Sequence, residues 1–151
     1  MSQSVSTEPT PPTEIPGVEL LGEIGRGAHS VVYEGRMDDR NVAVKLYKDR
    51  NGRDEATELR RYRREASVLA RFHHPGLARV IEAGRTPADG QAYLIMEYVS
   101  GRTLDRVIEE RGRLEEADIL QVARTVAGAL SRIHHHGVVH RDIKPGNILL
   151  R

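Results

Sequence analysis

Two kinds of hydrophobic pattern divide the chain near residue 100. Before that point lie five short β-type runs, at residues 18–25, 31–37, 41–47, 77–83 and 92–99. One helical stretch, from about Glu55 to Phe72, interrupts them, and its apolar face carries Leu59, Tyr62, Ala66 and Leu69. After residue 103 the pattern is helical. The predicted order is therefore β-β-β-α-β-β, followed by two helices, a loop and the first residues of a strand.

The two later helices have recognisable ends. Thr103 can cap a short helix that runs to about Arg111. A longer helix is predicted from Glu115 to His136, and Gly137 closes it. Its apolar face carries Leu120, Ala123, Ala127 and Leu130, with Val122, Val126 and Ile133 beside them. Left open, so broad an apolar face would form a hydrophobic patch on the surface.

The residues before the first strand differ in composition from the rest. Residues 1–16 are rich in Ser, Thr, Pro and Glu and almost without apolar side chains, which predicts a disordered tail. The tail is either an inert leader or a set of phosphorylation sites at Ser4, Ser6, Thr7 and Thr10. We expect ordered structure to begin near Val18.

Bulk composition excludes several classes of function. The formal net charge is +1, so nothing indicates a nucleic acid or an anionic membrane as partner. The chain has no cysteine, which excludes disulfides and thiolate metal sites. No apolar run reaches the length of a membrane-spanning helix, and the first residues lack the pattern of a secretory signal. These features favour a cytoplasmic protein without a membrane segment.

A glycine-rich turn joins the first two predicted strands. Its residues are Ile24-Gly25-Arg26-Gly27-Ala28-His29-Ser30-Val31-Val32. Glycines let a backbone come close to an anion, and backbone N–H groups there can hold phosphate oxygens. A plain tight hairpin is the alternative interpretation. The turn joins strand to strand rather than strand to helix, which argues against a dinucleotide-binding fold.

A lysine stands at the end of the apolar strand Val42-Ala43-Val44-Lys45. Burying an ammonium group is costly, so this lysine needs a partner or an exit to solvent. Glu65 lies beside the apolar face of the predicted helix, where its carboxylate can meet Lys45 and direct the ammonium towards a phosphate. Both residues could equally be ordinary surface charges, and their spacing does not separate the two interpretations.

The most specific motif is His140-Arg141-Asp142-Ile143-Lys144-Pro145-Gly146-Asn147, between a helix end and a short apolar strand. Asp142 can orient an attacking hydroxyl or accept its proton. Lys144 can neutralise charge on a transferring phosphoryl group, and Asn147 offers a neutral oxygen to a metal ion. Several specified positions match at once, which indicates a catalytic loop for phosphoryl transfer.

These motifs resemble those of the eukaryotic-type, or Hanks-type, protein kinases, and most of all those of the bacterial serine/threonine members. The resemblance runs from about Val18 to Leu150. It implies an α+β fold. Residues 17–99 would form the small lobe, a five-stranded antiparallel sheet with one helix. Residues 100–151 would begin the large lobe with its first helices and the catalytic loop.

The resemblance implies a role for each site residue. Asp142 would be the catalytic aspartate, assisted by Lys144, and Asn147 would be a ligand of Mg²⁺. Lys45 would contact the α- and β-phosphates of ATP, with Glu65 as its partner. The other ATP-binding positions that it implies are Ile24, Gly25, Gly27, Ser30, Val32, Ala43, Met96, Glu97 and Val99.

The implied reaction is transfer of a phosphoryl group from Mg-ATP to Ser or Thr hydroxyls of protein substrates, and Lys144 favours Ser/Thr over Tyr. Two departures from the family matter. Ser30 replaces the third glycine of the turn. The Asp-Phe-Gly segment and the activation loop that the family needs have no counterpart in the chain. We therefore expect a truncated kinase domain that is inactive by itself.

Two other functions stay open. One is a non-catalytic nucleotide-binding or interaction module, similar to a pseudokinase, which could dock on a second kinase. The other is a small-molecule phosphotransferase of the kinase-like type. Arg141 and Lys144 argue against the latter, because such enzymes typically depart from the family pattern at these two positions.

Overall fold

The computed structural model describes residues 14–27, 30–48, 70–140 and 143–151. Five antiparallel strands form one sheet in the order β1-β2-β3-β5-β4. The strands are β1 (Glu19–Arg26), β2 (Ser30–Met37), β3 (Arg40–Tyr47), β4 (Val80–Arg85) and β5 (Ala92–Glu97). All five predicted strands are therefore confirmed. Of the predicted first helix, residues 55–69 lie outside the described residues, and Phe72 lies in a coil.

One strand begins later than predicted. β4 was expected at residues 77–83 and runs from Val80 to Arg85. Leu77 belongs instead to a turn, in which its backbone N–H donates to the carbonyl of His74 at 2.9 Å. This turn packs against the longer of the two later helices, because a Cβ on Gly76 would lie 2.7 Å from the Thr125 methyl group. The contact draws the chain away from the sheet until residue 80.

Tight turns set the register of two strand pairs. Met37 pairs with Arg40, so β2 and β3 are joined by Asp38 and Asp39 alone. Both aspartates have positive φ, 45° and 60°, as a two-residue hairpin turn with the twist of the strands requires. The predicted turn around Asp89-Gly90 is also confirmed: Gly90 has a φ of +69° and donates its N–H to the Thr86 carbonyl at 3.0 Å.

The sheet has two different faces, since side chains alternate along each strand. One face carries the main hydrophobic core, formed by Ile15, Val42, Val44, Leu46, Tyr93 and Ile95 with Val18, Leu20, Tyr33 and Met37 packed against them. We call it the Val44 face. The opposite face carries Lys45, and we call it the Lys45 face. Its own small buried cluster is Val80 and Leu94, with Tyr47, Ala83 and Met96 packed against it.

The core includes a residue that was assigned to the tail. Ile15 is only 2% exposed and pairs with Val18 across a tight turn, where the Val18 N–H donates to the Ile15 carbonyl at 3.1 Å. The predicted disordered segment, residues 1–16, therefore extends too far at its C-terminal end. The Ile15 side chain, with Val18 beside it, packs in the core on the Val44 face and so anchors this turn. Residues 1–13 lie outside the described residues.

The second part of the chain contains two helices and a small ribbon. The elements are β6 (Arg102–Thr103), α1 (Leu104–Arg111), α2 (Glu116–His134), a 3₁₀ turn (Pro145–Asn147) and β7 (Leu149–Leu150), with β6 and β7 antiparallel. Both predicted helices are confirmed. α2 ends two residues early because the N–H groups of His136 and Val138 both turn back to the Ile133 carbonyl at 3.1 Å. Gly137, at φ +74°, makes that reversal possible.

The two sides of α2 have different surroundings. On one side a Cβ on Gly128 would lie 3.3 Å from Nε2 of His74, and just past the helix end the ring of Phe72, which is 6% exposed, meets the edge of the His136 ring with 4.7 Å between centroids. The other side borders an apolar groove of about 340 Å³, lined by Leu104, Leu114, Ile119, Val122, Ala123, Val126, Ala127, Leu130 and Ile148. Of the predicted apolar face, Leu120 is 46% exposed. Neither helix in the described ranges is both long and apolar enough to cross a bilayer.

Candidate functional site

The sheet register gathers the residues that were predicted to bind a nucleotide. Val32 pairs with Lys45 on one side and with Gly25 on the other, and Lys45 pairs in turn with Leu94. Residues directly opposite each other share a face, so this row lies on the Lys45 face. Ala43 and Met96 pair with each other two positions along, and therefore share that face as well.

Lys45 lies in the middle of this row. Its side chain is partly buried, and its Nζ lies 5.2 Å from the centroid of the Tyr47 ring, within reach of a cation–π interaction. The residues that flank it on the neighbouring strands, Val32 and Leu94, are apolar. The ammonium group thus lies between apolar residues of the two neighbouring strands, an arrangement that suits a flat base linked to a charged phosphate.

The glycine-rich turn begins with a bulge in β1. Glu23 pairs with Tyr33 and Gly25 with Val32, which leaves Ile24 without a partner residue in β2. The bulge moves Gly25 onto the Lys45 face, while the Ile24 side chain remains 50% exposed. Gly27 then closes the turn by donating its N–H to the Ser30 carbonyl at 2.8 Å. Residues 28 and 29 lie outside the described residues.

Within the part of the chain that the structure describes, no close packing requires a glycine at position 25 or 27. A Cβ on Gly25 would come no closer than 3.9 Å to Val32, and one on Gly27 no closer than 3.7 Å to Ser30, which are ordinary contacts. Neither residue has the positive φ that favours glycine. Gly35 is different, since a Cβ there would lie 3.0 Å from the Val18 side chain. The described residues therefore leave space beside the backbone at positions 25 and 27.

Glu97, the last residue of β5, fixes the segment that follows through both its backbone and its side chain. Its backbone N–H donates to the Arg79 carbonyl at 2.8 Å, and its Oε2 accepts the Arg79 N–H at 3.3 Å. Its Oε1 lies 3.4 Å from Nη2 of Arg151, just beyond β7. Glu97 thus ties the end of β5 to the chain on both sides. Val99 follows two residues later and is partly buried.

Lys144 and Asn147 lie on the 3₁₀ turn that precedes β7. The Asn147 N–H donates to the Lys144 carbonyl at 2.9 Å, which closes the turn between the two side chains. Both residues are exposed. The turn is anchored to α1, because the Leu104 N–H donates to the Ile148 carbonyl at 2.8 Å. The loop is therefore held on the same ribbon that leads out of the sheet.

An acidic residue beside this turn was not predicted. Asp105 lies in the first turn of α1, and a Cβ on Gly146 would lie 3.0 Å from its Oδ2. Hydrogen bonds from the Thr103 hydroxyl and then from the Arg106 N–H lower the pKa of Asp105. Thr103 precedes the helix as predicted, but its side chain bonds no helix N–H and serves Asp105 instead. In the sequence, the one indication of the hydrogen bond between Thr103 and Asp105 is their spacing of two residues at the start of the helix.

Two predicted residues cannot be placed. Glu65 and Asp142 lie outside the described residues, as does Arg141. The structure therefore brings together the residues on the Lys45 face and, separately, Lys144 and Asn147. The carboxylate partners that were predicted for Lys45 and for the attacking hydroxyl stay predictions.

Comparison with known proteins assigns the family. Residues 18–151 match the protein kinase domain family. The chain belongs to the protein kinase family. A probable serine/threonine-protein kinase of Clostridium acetobutylicum is 42% identical over 132 residues, which are 85% of this chain and 19% of that protein. The serine/threonine-protein kinase PknB of Mycobacterium tuberculosis is 36% identical over 146 residues, which are 93% of this chain and 23% of that protein.

A solved kinase confirms the fold. The M. tuberculosis PknI kinase domain has a TM-score of 0.78 and 28% sequence identity, and the match covers 99% of this chain and 59% of that chain. The α+β fold and the resemblance to bacterial serine/threonine kinases are thereby confirmed. The chain matches part of a kinase domain, and it spans between 19% and 24% of the length of the curated relatives.

Proposed function

We propose that the chain binds Mg-ATP on the Lys45 face, as the nucleotide-binding part of a protein serine/threonine kinase. The observation that carries the proposal is the register that gathers Gly25, Val32, Ala43, Lys45 and Met96 on one face. A cation between apolar side chains, with glycine backbone beside it, suits a purine base that carries a chain of phosphates.

Each of these residues would then have a distinct task. Backbone N–H groups at Gly25, Gly27 and Ser30 would lie against the phosphates, and the Lys45 ammonium would hold two of them. Ile24, Val32 and Ala43 would cover one surface of the adenine ring. Met96 would close the back of the pocket, and the backbone from Glu97 to Val99 would bind the edge of the ring.

The catalytic loop would serve the transfer itself. ATP supplies the phosphoryl group, and Mg²⁺ neutralises the charge on its phosphates. The side chain of Asn147 has an amide oxygen, which is a suitable ligand for a hard cation such as Mg²⁺. Asp142 would orient the Ser or Thr hydroxyl of a protein substrate and accept its proton, Lys144 would stabilise charge on the phosphoryl oxygens, and Glu65 would hold Lys45 in place.

The division of the chain into lobes is part of the proposal. We assign residues 17–99 to the small lobe and residues 100–151 to the beginning of the large lobe. The sheet ends at Glu97, and the ribbon that pairs with the end of the catalytic loop begins at Arg102, which supports a boundary between them. The cytoplasmic location and the docking on a second kinase stay predictions.

Direct titration with Mg-ATP tests nucleotide binding. Replacement of Lys45 by Met removes the central cation and keeps the length of the side chain. We expect the dissociation constant for Mg-ATP, measured by calorimetry, to rise about tenfold or more, the size expected when a hydrogen bond to a charged group is lost. Arg113→Met, which removes one exposed positive charge away from the site, is the matched control and should bind as the parent chain does. Equal affinities for all three proteins would contradict the proposal.

Transfer is tested separately from binding. The chain covers 59% of the PknI kinase domain, so we propose transfer for the whole kinase rather than for this chain. Radiolabel transfer from ATP to a Ser/Thr peptide by the whole kinase should be abolished by Asp142→Asn. Tight Mg-ATP binding by the whole kinase without any transfer would favour the non-catalytic nucleotide-binding module instead.

A further inference from the structure

We propose that Glu23, Arg26 and Lys48 form a charged brace on the back of the glycine-rich turn and position its backbone for the phosphates of the nucleotide. We call these three residues the Glu23 brace. The inference rests on the proposed function, because it assigns a task to residues that touch the turn from the side away from Lys45. They would be positioning residues, since none of them needs to touch the nucleotide.

The first part of the brace is a bond to the backbone of the turn. Lys48, just after β3, donates from its Nζ to the Gly27 carbonyl at 2.7 Å. The N–H of the same glycine donates to the Ser30 carbonyl at 2.8 Å. Gly27 has no side chain of its own to restrain it, so these two bonds fix its position between β1 and β2. The bond from Lys48 is charge-assisted and therefore the stronger type.

The second part is an ion pair along β1. Arg26 donates two hydrogen bonds to the Glu23 carboxylate, from Nε to Oε1 at 2.8 Å and from Nη2 to Oε2. Such a two-point contact fixes orientation as well as distance. The pair spans the bulge at Ile24, since its two members lie on either side of that residue. The ion pair therefore stabilises the bulge, and the bulge places Gly25 on the Lys45 face.

Register places this ion pair on the back of the turn. Glu23 pairs with Tyr33 and Arg26 with Val31, and both partners belong to the Val44 side of β2, whereas Gly25 pairs with Val32 on the Lys45 side. Lys48 is electrostatically linked to the pair. The pKa of Glu23 is lowered, mainly by its hydrogen bond to Arg26, then by the charge of Arg26, with a smaller contribution from Lys48.

The brace and a simple charge effect predict opposite changes in Mg-ATP affinity when the carboxylate of Glu23 is removed. If these residues acted only through their charge, removing the carboxylate of Glu23 would favour a polyphosphate, because a nearby negative charge would be gone. If Glu23 acts by holding Arg26 across the bulge, the same substitution releases the turn and weakens binding. The sign of the change therefore decides between the two explanations.

The test compares Mg-ATP with adenosine on the full 151-residue chain. For both Lys48→Met and Glu23→Gln we expect the dissociation constant for Mg-ATP to rise about threefold, the size expected of exposed ionic contacts. Adenosine, which has no phosphates, should bind as it does to the parent chain. Lys48→Arg keeps the charge and the donors and should restore Mg-ATP affinity.

A second readout needs no ligand. In the ligand-free chain, Lys48→Met should speed hydrogen exchange of the Gly27 amide about threefold, because the residue is then held on one side only. The exchange of the Val44 amide, in the middle of the sheet, should not change. Equal exchange at Gly27 in both proteins would overturn the brace.

The outcomes separate the two proposals. If the parent chain binds no Mg-ATP, the proposed function fails and the brace fails with it. If the parent chain binds Mg-ATP but Lys48→Met and Glu23→Gln bind it equally well, only the brace is wrong. Tighter Mg-ATP binding by Glu23→Gln, or an equal loss for adenosine and Mg-ATP, would also overturn the brace, since it would indicate a charge effect or a general loss of structure.

Discussion

The proposed function of this small sheet centres on Lys45, a cation that lies between apolar residues of the two neighbouring strands. Lys45 alternates along β3 with Val44 and Leu46, both of which are buried in the main core on the opposite face. A shift of one residue in register would exchange the two faces and place the ammonium group in the core. The fold and the site therefore depend on the same pairing between β2, β3 and β5.

Glycine 84 tests the packing of the sheet at the scale of one residue. A Cβ on Gly84 would overlap the ring of Tyr93, which is 4% exposed and donates its hydroxyl to Oε1 of Glu82 at 2.9 Å. We expect Gly84→Ala to lower the free energy of unfolding by about 1 to 3 kcal/mol, because the ring has to move. Urea denaturation measures the change.

The matched control for that substitution is Gly22→Ala. A Cβ on Gly22 would meet no atom of the described residues within 4 Å. Its unfolding free energy should stay within about 0.5 kcal/mol of the parent chain, as is usual for surface changes. If the two alanine variants were equally stable, the close packing of Tyr93 on Gly84 would be refuted.

The pKa of Glu23 gives a prediction for pH. Its pKa is lowered in the folded chain, mainly by the hydrogen bond to Arg26, so its contribution to stability is present above the ordinary value of about 4.3. That contribution is lost as the pH falls through the lowered pKa. In an NMR titration of the Glu23 carboxyl, Arg26→Gln should raise the pKa back towards its ordinary value. An unchanged titration midpoint would mean that the ion pair does not form in solution.

At the scale of elements, the sequence predicted the strands and missed the bulge. Alternation of apolar residues located β1 within one residue, but nothing in that pattern shows that Ile24 would be left out of the pairing. A bulge depends on the partner strand, and single-strand periodicity carries no information about the partner. Gly25 was predicted to lie against phosphates, but its face could be assigned only from the register with Val32.

The other differences between the predicted and the observed elements also arise from contacts between residues that are distant in sequence. Ile15 was assigned to the tail because its neighbours are polar, yet its side chain is buried in the core on the Val44 face. The start of β4 was misplaced because the preceding turn packs against α2. The predicted catalytic loop, in contrast, depends on no distant contact, since all of its residues lie within eight positions of one another, and the roles of its residues stay predictions.

The pairing of β6 with β7, just after the predicted catalytic loop, can be tested through Gly101. A Cβ on Gly101 would collide with the backbone carbonyl of Leu150, which cannot move aside as a flexible side chain could. We expect Gly101→Ala to separate β7 from β6 and to expose the bond between the Leu104 N–H and the Ile148 carbonyl. Hydrogen exchange of the Leu104 amide should become at least about tenfold faster, because exchange follows local opening.

Gly22→Ala again serves as the control, and it should leave the Leu104 amide unchanged. Protection of that amide in Gly101→Ala at the level of the parent chain would show that the ribbon tolerates a side chain at this position. The position of Lys144 and Asn147 would then need another explanation than the pairing of β6 with β7.

At the scale of the whole molecule, an ion pair links the sheet to the chain after the predicted catalytic loop. Glu97 at the end of β5 lies 3.4 Å from Arg151, and both side chains are largely exposed. Exposed pairs contribute little, so a double-mutant cycle of Glu97→Gln and Arg151→Gln should give a coupling energy of about 0.5 kcal/mol. A coupling of zero would mean that the ribbon and the backbone bonds of Arg79 alone fix this junction.

The central claim is that Mg-ATP binds on the Lys45 face of the sheet. Methyl NMR of the chain with labelled Val, Ala, Leu and Met tests it most directly, because the two faces carry different methyl groups. On titration with Mg-ATP, the signals of Val32, Ala43 and Met96 should shift, while those of Val42, Val44 and Leu46 should stay in place. Shifts confined to the Val44 face, or no shifts at all, would contradict the claim.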